Sequence, residues 1–177
     1  MADTLARLTR ELDRVTGNPA KDSSPQGIGT VRFVIDCPKD VDAASVLERA
    51  KSVMAAVDSA VLQGWPSNDH AAPILPKWFT SACAPEKSKE EKAQWLRWWR
   101  GLSYEEKLRK GAEAKWSLSN WLYWLEPENR ECFWWDSFIQ EGSNRIVLAV
   151  EVDGSPFPWE HLGWLFLAAG AATVEEE

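Results

Sequence analysis

Histidine is nearly missing from this chain: there are two in 177 residues, His70 and His161. That rules out any metal site built on several imidazoles, and no cysteine or carboxylate spacing offers a replacement. No metal and no cofactor is therefore expected. Cysteine is almost as scarce. Cys37, Cys83 and Cys132 lie far apart, with no CxxC pair and an odd count, so no disulfide framework is expected and a reducing compartment suits them. Long apolar runs are absent too. The longest near the C-terminus, Leu162 to Ala169, is far too short to cross a bilayer. Met1-Ala2-Asp3-Thr4 opens a polar helix and not a secretion signal. No membrane association and a cytoplasmic location are the expectation.

The motifs of the commoner chemistries are also missing. There is no GxGxxG, no Walker A loop, no GxSxG and no HExxH. Basic charge is in deficit: 20 Lys/Arg against 27 Asp/Glu give a net charge of −7, which argues against general nucleic-acid binding. The deficit is uneven. Residues 86–115 hold nine basic and six acidic side chains, while the rest of the chain holds eleven and twenty-one. An acidic body steers a cationic partner toward it, an effect on encounter more than on affinity.

What the chain has in quantity is tryptophan. All twelve fall between Trp65 and Trp164, bunched as Trp95, Trp98 and Trp99, then Trp116, Trp121 and Trp124, then Trp134 and Trp135. Exposing them all would leave a large adhesive surface, so most are expected in a Trp-rich core. Spacing assigns Trp95, Trp99, Trp116, Trp121, Trp124 and Trp164 to the scaffold. Three stand apart. Trp65 lies in a proline-bounded loop, Trp98 sits at the rim of its helical stripe beside Gln94, and Trp134 alternates onto the strand face of Asp136. With Arg97, Arg100 and Asp136 they form the candidate binding set, since exposed Trp beside charge suits a protein hot spot, a sugar platform or a stacked base.

Periodicity orders the elements. Leu5, Leu8, Leu12 and Val15 mark a first helix within residues 1–16, a possible mobile arm or separately docked piece, followed by a linker over 17–28. Thr30 to Cys37 alternates as a strand, and Asp42 caps a helix running to about Gln63. Residues 64–76 form a long loop, and Lys77 to Cys83 reads as a short strand. Ser88 with Glu91 and Ser103 with Glu106 are capping boxes that open two helices, about 89–101 and 104–115. The aromatic face of the first is expected to pack into the core. A short helix follows at about 119–125, then a hairpin from 131–139 and 145–152. A last helix, Pro158 to Gly170, is apolar on every side and so is either buried or an interface, for instance of a homodimer. Residues 171–177 read as an acidic tail. The sum is a single α+β domain over 29–170, with an antiparallel-rich sheet of about four strands and helices mainly on one face.

Three chemistries stay open as candidates. Asp69 and His70 in the long loop offer an acid–base pair. Cys132 with His161 offers a thiol and a base, against the plainer reading of a buried cysteine and a helix histidine. Glu126, Glu128, Glu131 and Asp136 beside Trp-rich segments have the look of a glycosidase cleft, against the plainer reading of turn residues in water. None forms a complete constellation. The expected function is a non-catalytic protein-binding module of a bacterial kind, immunity- or antitoxin-like. The alternative is a small-molecule or carbohydrate binder, or a small enzyme, using the 64–76 loop and an aromatic cleft. A third reading, single-stranded nucleic acid held by Trp98, Arg97 and Arg100, runs against the charge.

Overall fold

The computed structural model describes residues 2–18, 24–64, 72–113 and 115–177. Trp65, Asp69 and His70 lie outside the described residues. The elements in order are α1 (Ala2–Val15), β1 (Gly29–Asp36), α2 (Ala43–Leu62), a 3-10 turn (Ala72–Ile74), α3 (Lys77–Ala82), α4 (Lys89–Gly101), α5 (Tyr104–Glu113), α6 (Leu118–Tyr123), β2 (Cys132–Ile139), β3 (Arg145–Val152), α7 (Glu160–Ala169) and β4 (Thr173–Glu176).

The fold is α+β. Four antiparallel strands stand in the order β2-β3-β1-β4, with helices mainly on one face. Phe33 and Ile35 of β1 share that face with Ile146, Leu148, Val150 and Val152 of β3. These side chains join Val46, Val53, Met54 and Val57 of α2 and Leu165 and Phe166 of α7 in one buried cluster. The α2 stripe is the one its spacing predicts, and the Asp42 carboxylate accepts from the N–H groups of Ala44 and Ser45 to start it. Helix α7 is core: Leu162, Leu165, Phe166 and Ala169 are buried, and Leu167 is left partly exposed. Gly170 ends it at φ 118°, a left-handed conformation that glycine reaches without strain.

Four expectations are corrected. Lys77–Ala82 is a helix and not a strand, although its aromatics favour β structure. One helical turn from Pro76 sends Phe79 inward, where its ring meets Trp121 at 4.5 Å, while Lys77 and Ser81 stay in water. The acidic C-terminal segment is partly β4, paired with β1 through Phe33↔Glu176 to Asp36↔Thr173. An edge strand can satisfy its backbone on one side while its charges face solvent. The buried stripe of α1 is Arg7, Leu8, Glu11 and Val15, with Leu5 exposed. The stripe is rotated because two charged residues have buried partners.

The fourth correction concerns Trp134. Strict alternation puts it beside Asp136. A β-bulge at Trp135 breaks the alternation: Trp134 pairs with Val150, and Asp136 pairs with the next residue, Ala149. Trp134 thus joins the Val150 face, is 2% exposed and stacks on Phe166 at 5.5 Å. It is core, and the exposure expected of it is not found.

Candidate functional site

Two clusters bring chemistry-bearing side chains together. The first is buried. Arg130 binds Glu11 of α1 and reaches Asp58 of α2 at 3.0 Å, and Glu11 also accepts the N–H of Trp134 at 2.6 Å. Beside it, Arg7 meets Glu151 at 2.6 Å and Asp153 at 2.7 Å, with its guanidinium 4.0 Å from the Phe133 ring centre. Burial raises the Glu11 and Asp58 pKa values, and Arg130 works against that rise in both. These contacts pin α1 to the sheet and to α2. Sequence reasoning passed over Glu11 and Asp58. Their signal was present: each sits on the apolar stripe of its helix, where an unpaired charge is too costly to keep.

Next to this cluster, Cys132 Sγ lies 3.8 Å from His161 Nε2. Burial pushes the thiol up to about 12, and burial followed by the nearby Arg130 charge takes the imidazole down to about 3. A neutral thiol beside a neutral imidazole, both shut from water, is no nucleophile, because attack needs the thiolate. The acidic residues near the turn do not converge either. Glu126 accepts from Asn129 at 3.0 Å, Glu128 and Glu131 are exposed, and the exposed Asp136 accepts the N–H of Ser137 at 2.8 Å. Among the described residues, no group of three or more His, Cys, Asp or Glu is placed to hold a metal ion.

The second cluster is on the surface, and it arises from a helix that nothing covers. Helix α4 opens with the Ser88–Glu91 capping box, and Ser103–Glu106 opens α5 in the same way. No residue of α4 is buried. Trp95, Leu96 and Trp98 are 40%, 44% and 48% exposed, and Trp95 stacks on Trp99 at 5.1 Å. The expectation that this aromatic face packs into the core is wrong. Hydrophobic spacing shows that a helix has an apolar face, but not that the fold supplies something to cover it.

The wall opposite is built from the core outward. Trp121 of α6 is buried and its indole N–H donates to the carbonyl of His161 at 2.8 Å. With Trp121 and Leu122 held inside, Asn120, Tyr123 and Trp124 are left on the outer side. The start of α4 is tied alongside. Ala84 N–H donates to the Trp116 carbonyl at 2.8 Å, and Glu86 accepts from the N–H and hydroxyl of Ser119. Burial works to raise the Glu86 pKa, but hydrogen bonds from Ser119 and Ser117 together with the Lys92 charge hold the carboxyl below its ordinary value.

Between these walls lies a groove of about 540 Å³. Trp95, Leu96, Trp99, Trp116, Tyr123 and Trp124 form its apolar surface. Lys87, Lys92 and Lys115 line it as well, and among the described residues no carboxylate does. The volume falls in the usual range for ligand sites, and the composition, apolar with a few polar groups, is theirs too. Of the sequence candidates, Trp98 is on α4 just outside this lining, and Arg97 and Arg100 are exposed on the same helix. Trp134 is interior, and Asp136 belongs to the sheet edge. Trp95, Trp99, Trp116 and Trp124, which spacing assigned to the scaffold, line this groove instead.

Among the described residues, no helix is long and apolar enough to cross a membrane. No family model, no curated protein and no solved structure matches this chain.

Proposed function

We propose that this chain is a non-catalytic binding module that recognises another protein through the groove between α4 and α6. The observation behind it is that α4 buries none of its residues while presenting Trp95, Leu96 and Trp98 to solvent. Apolar surface of this kind is costly to leave wet, and exposed aromatics are the usual anchors of protein interfaces. The inert Cys132–His161 pair supports a role without catalysis. In its full form the proposal is a bacterial cytoplasmic protein of the immunity or antitoxin type, which works by covering a partner. The three free cysteines suit that compartment.

One observation favours a second reading, a small-molecule or carbohydrate site: the groove has a ligand-sized volume. Against it, two further aromatics outside the groove lining are exposed, Trp98 beside Trp99, and Tyr104 at 75%. A polypeptide can cover both, whereas a ligand filling the groove leaves them wet.

The test compares proteins captured from the source lysate by the wild-type chain, by Trp95→Ser and by Phe138→Ser, whose ring is exposed on β2. A partner retained by Phe138→Ser and lost with Trp95→Ser supports the proposal. The same set of captured proteins for all three refutes it.

A further inference from the structure

Resting on the reading of the groove as the recognition surface, we infer that its occupant is an amphipathic helix of the partner, with an apolar anchor flanked by Asp or Glu. Shape is the first argument. Helix α4 has 13 residues and so runs roughly 20 Å. Trp95, Trp98 and Trp99 recur along it at three- and four-residue steps, the pattern into which the apolar stripe of another helix interlocks. Both long walls present side chains, and none of the described lining residues belongs to a strand of the sheet. A segment seated here must satisfy its own backbone polar groups, which a helix does and an extended strand does not.

Charge is the second argument. Lys87, Lys92 and Lys115 come from the lead-in to α4, from α4 itself and from the lead-in to α6, and all three line the one groove. Glu86 and Glu91 stay ionised and offset Lys92 and Lys87 in part, but their carboxylates turn to serines and are not in the groove lining. Glu86 accepts from Ser119, and Glu91 closes the capping box on Ser88. Among the described residues, the lining itself is therefore positive, on a protein of net charge −7. The seated helix is acidic whatever the charge of the partner's other surfaces, since like charges placed opposite each other across an interface are strongly unfavourable.

The experiment uses the full chain and two synthetic helical peptides with identical Leu and Phe anchors. One carries Glu at the flanking positions and the other Lys. Binding is read by the tryptophan fluorescence of the protein and by calorimetry, at about 50 and 300 mM salt. The Glu peptide is expected to bind at least tenfold more tightly at low salt, with the preference shrinking at high salt. The variant Lys87→Glu/Lys92→Glu/Lys115→Glu, checked for folding by circular dichroism, is expected to reverse the preference. Equal or tighter binding of the Lys peptide overturns the acidic assignment and leaves the groove reading standing. Failure of both peptides overturns the helix assignment. An anionic naphthalene dye then separates the two readings: dye binding lost in Trp95→Ser keeps the groove as a site, and dye binding unchanged by it removes the groove as well. Concentration-dependent self-association that Trp98→Ser abolishes makes a second copy the occupant and also overturns the inference.

Discussion

His161 sits against Cys132 with 2% of its surface exposed, and its Nδ1 has no hydrogen-bond partner among the described residues. Its folded pKa is about 3, against an ordinary 6.5. The unfolded chain therefore takes up a proton below pH 6.5 that the folded chain refuses until about pH 3. A depressed folded value means stability lost as pH falls through that window. At pH 5 the unfolded imidazole is about 1.5 units below its pKa and the folded one is still neutral. The penalty is then about 2 kcal/mol, and it is insensitive to the folded value as long as that lies well below 5. The perturbation is His161→Phe, with His161→Leu as a check on overpacking. Urea unfolding at pH 7.5 and pH 5 gives two free energies for each protein. The drop between them should be smaller by about 2 kcal/mol in the variants than in the wild type. Comparing drops cancels the packing cost of each substitution, which is the same at both pH values. Equal drops in all three proteins would refute the reasoning, because they would mean that the ring titrates in the folded state as it does in water.

Arg130→Met should cost about 3–5 kcal/mol at neutral pH, because Glu11 and Asp58 are left buried without their cation. Both folded pKa values are raised by burial, so their protonation favours the folded state; urea unfolding should show the cost shrinking as pH falls from 7 toward the ordinary carboxylate values. Trp121→Ala should lose about 3–5 kcal/mol in the same assay, and Trp98→Ser less than about 1 kcal/mol, since the first ring is core and the second is half in solvent. Alkylation followed by peptide mass mapping should modify Cys37 and Cys83, which are partly exposed, well before Cys132. Rapid modification of Cys132 in folded protein would contradict a thiol held near 12.

Much of the fold was legible because local chemistry decides it. Asp42 before a stripe of Val46, Val53 and Val57, the two Ser–Glu capping boxes, and the alternation of Ile146, Leu148 and Val150 each set an element by interactions within a few residues. Where a distant partner was involved, sequence reading failed. The bulge at Trp135 shifts the register by one residue, and a single-residue shift exchanges the two faces of a strand. The turn of α1 follows Glu11 and Arg7 toward charges more than a hundred residues away, Arg130, Glu151 and Asp153.

The same division holds for the candidate site. By itself the sequence determined the tryptophan count, the amphipathic faces of the helices, and the acidic balance with its basic segment. Periodicity is a property of one helix, so it marks an apolar face without saying what meets it. Only the tertiary structure decided that Trp121 goes inward while Trp95 and Trp98 are left uncovered. Burial is a relation between segments, and the segments that form the groove, 87–99 and 115–124, are set side by side by the Ala84–Trp116 hydrogen bond and the grip of Glu86 on Ser119.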